Sequence, residues 1–251
     1  MKKLPYLLAL SGVISASAMA ADAPASPHTI SYNVGITTDY IFRGVSQSQH
    51  DPAISGGIDY SHASGLYAGT WVSTQKWVET GPYKTSSDFE WDVYGGYKGS
   101  VGDIGYDVGL IHYAYDGDRN GLALPTPETT EVYIGASWSF LSAKYSYVVS
   151  PYFIGWGTRG TTQTDGSGYL ELNANYDMGD GWGLIGHLGH QKVENVSIAS
   201  YTDWKIGVSK DVGFGVVTLA YSDTNADKTA YTWAGEKVAK GAIALSFSKS
   251  F

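Results

Sequence analysis

GAIALSFSKSF, Gly241 to Phe251, closes the chain with apolar groups at Ile243, Leu245, Phe247 and Phe251 and small or polar residues between most of them. A period of two marks a strand that is apolar on one face only. Such a strand, ending flush on an aromatic residue, has one face suited to hydrocarbon and one suited to a wet lumen. Lys249 departs from strict alternation, at a place where a long cationic side chain can snorkel toward lipid headgroups.

The other end of the chain supports an exported protein. Lys2 and Lys3 precede an apolar run from Leu4 to Val13 and then the small residues SASAMA, the layout of a secretory signal peptide cleaved after Ala20. The run is too short to span a bilayer comfortably. Cleavage would remove two of the 16 basic residues from a chain whose formal net charge is already -8, and so acidic an exported protein is a poor candidate for nucleic-acid binding. The absence of Cys excludes disulfide stapling. Beyond the signal, no run reaches the roughly 18 apolar residues of a spanning helix. A closed barrel needs only alternate residues to be apolar, and it satisfies every backbone group through neighbouring strands.

Period-two reading of the remaining chain predicts about twelve segments, near 30–43, 53–61, 66–77, 88–98, 104–115, 129–139, 142–150, 167–177, 182–191, 201–210, 214–223 and 238–251. In DFEWDVYGGYK, Phe89, Trp91, Val93 and Tyr97 oppose Glu90, Asp92, Tyr94 and Lys98; YLELNANYDM sets Leu170, Leu172, Ala174, Tyr176 and Met178 against Glu171, Asn173 and Asn175. Connections alternate between short and long. The short ones are HASG from His62, GSVGD from Gly99, FLSA from Phe140, MGDG from Met178 and DVG from Asp211; the long ones follow Arg43, Trp77, Tyr115, Ser150, Gln191 and Asp223. Tight periplasmic turns and longer exterior loops are the outer-membrane pattern, and an even strand number returns both termini to the periplasm. The expected fold is therefore all-β, a transmembrane antiparallel up-and-down barrel over 30–251, after a signal peptide at 1–20 and a short periplasmic segment at 21–29.

SYNVGITTDYIFRGVSQSQ, Ser31 to Gln49, and YDVGLIHYAYDG, Tyr106 to Gly117, resemble the TorF family of porin-like proteobacterial proteins, and the similarity extends over most of the mature chain. The closing strand resembles those of bacterial outer-membrane barrels, whose terminal aromatic is read by the assembly machinery. The resemblance implies an outer-membrane location and a barrel fold, with lipid, that machinery through Phe251, and small solutes as partners. It carries no residue roles and no cofactor.

Strand alternation turns twelve charged residues inward: Asp39, Arg43, Asp59, Glu90, Asp92, Lys98, Asp107, Glu131, Lys144, Glu171, Asp203 and Lys205. Charge belongs inside, because an Arg or Lys at the lipid midplane costs roughly 2 to 4 kcal/mol. Two readings stay open at this point: an acidic, weakly cation-preferring pore lined by these residues, or ion pairs that pack the wall. Twelve strands about 4.8 Å apart and tilted about 40° enclose a backbone cylinder roughly 24 Å across, which leaves a channel of about 12 Å or less once side chains are placed. The long Gly- and Thr-rich stretch from Pro151 to Ser167 is the leading candidate to fold inward.

Enzymatic readings find little purchase. Gly181, Gly183 and Gly186 spell G-x-G-x-x-G without a following helix. His62 and Ser64 recur at the spacing found in an outer-membrane phospholipase but lie in a short turn without an obvious third partner. A lipid-modifying enzyme would draw on His112, His187 or His190. Asp116, Asp118 and Asn120 open DGDRNG like a calcium loop, yet Pro127 stands where the bidentate Glu belongs. No cofactor is expected. A small-solute channel leads, with a closed structural or surface-binding barrel as its alternative.

Overall fold

The computed structural model describes residues 26–81, 83–119 and 124–251. The expected signal peptide and Asn120 lie outside the described residues. Twelve antiparallel strands form a closed barrel: β1 His28–Thr37, β2 Ala53–His62, β3 Leu66–Thr74, β4 Phe89–Val101, β5 Ile104–Tyr115, β6 Thr129–Trp138, β7 Leu141–Val148, β8 Gly168–Gly179, β9 Trp182–Lys192, β10 Tyr201–Asp211, β11 Val216–Thr224 and β12 Ala242–Ser250. Each strand pairs with its neighbours in sequence, and β12 returns to β1 with Phe247 opposite Ile36 and Ser250 opposite Asn33. Phe251 extends that seam by exchanging two backbone hydrogen bonds with Tyr32, at 2.9 and 3.2 Å. No strand of the barrel has a free edge, so its ladder hydrogen bonds are satisfied internally.

Parity explains which way each side chain points. On β1, Ile30, Tyr32, Val34 and Ile36 are exposed; on β8 the exposed set is Leu170, Leu172, Tyr176 and Met178, and the pattern repeats around the wall. An outer surface made of Ile, Leu, Val, Phe, Tyr and Trp is incompatible with water over an area this large. Lys249 stands on that face beside the closing seam, its Nζ 4.7 Å from the centre of the Phe251 ring. Small residues on the inner face make room for the rings opposite them. A Cβ on Gly69 would meet the Tyr94 ring at 2.5 Å, and one on Gly109 would meet the Tyr133 hydroxyl at 2.5 Å.

The rim where β1 begins and β12 ends carries short turns, and the opposite rim carries long loops. Loop 1, residues 38–52, and residues 75–81, 149–167 and 225–241 place buried side chains in the mouth. The core of the molecule sits there, inside the barrel. One cluster packs Trp77 and Val78, from the single-turn helix α1 (Trp77–Thr80), against Ile111, Tyr113, Tyr115 and Tyr133 of the wall. A second joins Val45 to Tyr201, Tyr231, Val238 and Ala239, and a third joins Phe153 to Val148, Val193 and Ala199.

Three of the boundary differences from the sequence expectation move apolar residues into the mouth. The first strand stops at Thr37, because Thr37 Oγ1 bonds to the Asp39 carbonyl at 2.9 Å and the chain turns inward. Ile41–Phe42 and Val45–Ser46 then pair with each other as a tight hairpin. The third strand stops at Thr74, leaving Trp77 to α1, and the last begins at Ala242, with Val238 and Ala239 given to the loop core. In all three the apolar residues beyond the strand bury themselves in the mouth instead of facing lipid.

Candidate functional site

Loop 1 builds the centre of the lumen. Arg43 and Gly44 form the tip of its hairpin, at φ +47 and +77. Two successive positive φ values are the signature of a type I′ turn, whose twist suits a two-residue hairpin. Gly44 is required twice over, since a Cβ there would lie 2.5 Å from the Asp203 Cβ on the barrel wall. Arg43 pays the strain of a left-handed backbone, about 1 to 2 kcal/mol, and its side chain crosses to the far wall.

There the guanidinium forms a fork with Glu131, Nη1 to Oε1 at 2.9 Å and Nη2 to Oε2 at 2.7 Å, and Nη1 also donates to Gln191 Oε1 at 3.0 Å. Its plane lies over the Tyr169 ring, 4.2 Å from the centroid, with Phe42 at 4.8 Å and Phe153 at 5.8 Å. Both charged partners are almost fully buried, at 7% and 1% side-chain exposure, so the pair is shielded from solvent screening. Burial is the largest single influence and lowers the Arg43 pKa, but the charge and hydrogen bonds of Glu131, with Tyr113 and Tyr169 beside it, together hold the group above its usual value.

Loop 1 is itself internally braced. Asp39 accepts from the Ser46 hydroxyl at 2.6 Å and the Ser48 hydroxyl at 3.3 Å, and lies 2.7 Å from His50 Nδ1. Tyr40 donates to Glu90 Oε1 at 2.8 Å. Asp39 and Arg43, expected on the wall of the first strand, are thus plug residues: the Asp39 carboxylate organises a local turn that the period-two pattern of YIF conceals.

The other ten residues lie on barrel strands, at the inward positions of the alternation. Lys144 reaches Glu171 at 2.8 Å, and Asn173 donates to the same Glu171 at 3.0 Å. Asp203 accepts from Tyr169, at 3.2 and 3.0 Å, and lies 3.0 Å from His187 Nε2. Asp59 accepts from Tyr94 at 2.6 Å and from Asn33 at 3.2 Å; Asp107 accepts from Tyr67 at 2.6 Å and stands opposite Lys98 in register. Tyr67 and Tyr133 share a short hydroxyl contact. Lys205 faces His187 across the β9–β10 pair. Asp92 is 6% exposed, and its Oδ1 has no hydrogen-bond partner among the described residues. Wall pairing therefore neutralises some acids, while Glu90, Asp92, Asp59 and Asp203 meet no lysine or arginine of the described residues within ion-pair distance.

Tyr169 and Gln191, which complete the Arg43 cradle, were not singled out by the sequence reading. Their parity was the available signal, since Tyr169 lies two residues from the inward Glu171 and Gln191 lies four from the inward His187 on the same strand. The stretch from Pro151 to Ser167 does fold inward, through Tyr152 and Phe153, but loop 1 penetrates to the guanidinium cradle. Inside the mouth, the cavity among Phe42, Val45, Phe153 and Tyr231 holds about 20 Å³.

His112 and His190 face outward and bond to Thr130 and Thr202, each at 2.9 Å. His62 Nδ1 meets Ser64 Oγ at 2.7 Å on the short-turn rim, with the His28 ring 5.1 Å from the His62 ring. Asp116 accepts from Ser87 at 3.1 Å and from the Phe89 amide at 2.9 Å, fastening the loop base. Among the described residues no group of three or more His, Cys, Asp or Glu is arranged to hold a metal ion.

No curated protein sequence matches the chain. Its fold is that of solved outer-membrane porins: the KdgM porin, at 10% identity and a TM-score of 0.52 over 88% of this chain and 97% of that chain, and the NanC porin, at 11% identity and 0.53 over 89% and 99%. KdgM in complex with disordered oligogalacturonate aligns at 11% identity and a TM-score of 0.53, covering 88% of this chain and 98% of that one. A family profile matches residues 21–251, and by that match the chain belongs to Gcw_chp, a family described as bacterial protein of unknown function.

Proposed function

We propose that the protein is an outer-membrane channel for passive diffusion of small solutes, closed in this conformation by its own loops and weakly cation-preferring when open. The observation that carries this reading is a hairpin reaching into the lumen from the long-loop rim while the wall remains polar, with Asn33, Asp59, Lys98, Lys144 and Lys205 only half-buried. A barrel built solely as a scaffold has no need of a charged, partly solvated interior under a removable plug. The acids without a basic partner support the cation preference. An apolar outer face, the likeness in fold to solved outer-membrane porins and the TorF resemblance support the outer-membrane location. The chain is then a conduit and not a catalyst.

A closed structural barrel has one observation in its favour, the well-packed loop core around Trp77, Tyr231 and Val238. Planar-bilayer recording separates the two. The channel reading expects discrete conductance steps with a reversal potential on the cation side in a salt gradient, reduced in that preference by Glu90→Gln or Asp92→Asn. A folded, heat-modifiable barrel that stays silent across the voltage range, even after the hairpin from residue 40 to 49 is replaced by a Gly-Ser linker, overturns it.

A further inference from the structure

We propose that the wall around Glu131, Gln191 and Tyr169 is a recognition site for guanidinium and related organic cations, which Arg43 occupies as a tethered internal ligand in the closed form. A solute carrying such a group opens the plug by taking the place of Arg43. The inference rests on the channel reading for its physiological sense, but the site itself is defined by geometry alone.

Three features of the cradle match a planar cation. Glu131 offers both carboxylate oxygens at 2.7 and 2.9 Å to a forked donor, the arrangement that distinguishes guanidinium from a point charge. Gln191 adds a third acceptor at 3.0 Å, and its own amide is held in place by the Gly168 carbonyl at 3.1 Å, which fixes the acceptor end toward the lumen. Tyr169 supplies a flat face 4.2 Å from the guanidinium carbon, and its hydroxyl is anchored by Asp203 at 3.0 Å. Gln191 and Tyr169 are thus positioned by neighbours other than Arg43 itself.

The surroundings are also built for positive charge. Asp92 stands opposite Tyr113 in strand register, and the Tyr113 hydroxyl reaches Glu131 at 3.4 Å. Asp92 therefore belongs to the same chamber, nine-tenths buried, with Oδ1 unpartnered. One arginine is held by a wall with more acceptors than that arginine uses. Lys144 cannot substitute for it, being engaged by Glu171 at 2.8 Å.

The occupant comes from a strained support. Arg43 sits at φ +47, on a hairpin pressed against Asp203. A tethered ligand of this kind competes at an effective concentration on the order of millimolar. Free ligand must outcompete that in the intact protein and meets no competitor once the side chain is removed.

The test is chemical rescue of Arg43→Ala, with methylguanidinium as probe and methylurea as its uncharged planar isostere. Calorimetry on the full chain in detergent is expected to show methylguanidinium binding to R43A in the millimolar range, at least tenfold more tightly than to the wild type, with methylurea at least tenfold weaker. Adding Glu131→Gln to R43A is expected to abolish the binding. In bilayers, R43A is expected to conduct and methylguanidinium to reduce its current at concentrations where methylurea does not. If R43A binds the two probes equally, or no better than wild type does, the site is overturned while the channel reading stands. If R43A binds methylguanidinium selectively but never conducts, the site stands and the channel reading falls. Should R43A lose heat-modifiable migration, Arg43→Lys replaces it: the single ammonium cannot fork, so methylguanidinium must compete with it more effectively than with arginine, and failure to do so overturns the site.

Discussion

Arg43 and Glu131 form a pair whose energetics are asymmetric. Both groups are stripped of water, so removing one leaves the other charge buried without compensation, a change that typically costs about 3 to 5 kcal/mol. Replacing both with apolar groups of similar volume restores neutrality and is often close to neutral in stability. Glu131→Gln alone is thus expected to loosen the plug by about 3 kcal/mol, whereas Arg43→Met together with Glu131→Leu recovers most of that loss. Urea titration of the folded barrel, followed by Trp fluorescence, reads both, with Trp156 and Trp233 in the loop clusters as reporters. Additive losses in the double variant would show that the two side chains do not act as a pair.

On the channel reading, the hairpin of Ile41–Phe42 with Val45–Ser46 is the element that opens and closes the barrel, and its tip is where a single methyl group matters most. Gly44→Ala combines a disfavoured left-handed backbone, costing about 1 to 2 kcal/mol, with a collision 2.5 Å from Asp203. The hairpin cannot stay where it is. Gly102 provides the control, since it shares a positive φ of 61 but has nothing within 4 Å of its would-be Cβ. Bilayer recordings are expected to show G44A raising the open fraction severalfold and G102A leaving it unchanged; equal behaviour would detach the hairpin from gating. This element was also the one hidden from sequence. Twelve strands were legible because lipid and lumen impose opposite chemistry on alternate residues, a constraint that any period-two scan detects. Tyr40 to Phe42 satisfy the same propensities for a different reason, burial inside the mouth, and local pattern does not distinguish a strand facing hydrocarbon from a hairpin facing other loops. The Arg43-Gly44 pair between Ile41-Phe42 and Val45 was the signal of a tight turn. The cradle of Glu131, Gln191 and Tyr169 was legible only as three inward parities, because the contact unites residues 88 and 148 positions from Arg43 for the first two, and separations of that size leave no trace in spacing.

At the scale of the whole molecule, the barrel is an inverted globule with its apolar surface outside and its charges within. That inversion makes the effect of a mutation depend on parity more than on position along the chain. Leu219 and Thr218 are adjacent on β11, yet Leu219 is 48% exposed on the outer face while Thr218 pairs with Ser209 and Ser246 on the inner one. An arginine at Leu219 would have to sit in hydrocarbon, at a cost of roughly 2 to 4 kcal/mol near the midplane. At Thr218 the same side chain can extend into the polar lumen and meet water or a carboxylate. Refolding of the two variants into phosphatidylcholine vesicles, followed by heat-modifiable migration, is expected to show L219R strongly impaired and T218R close to wild type. In a water-soluble sandwich the ranking would invert, since the residue with the greater exposure would then be the one that tolerates charge.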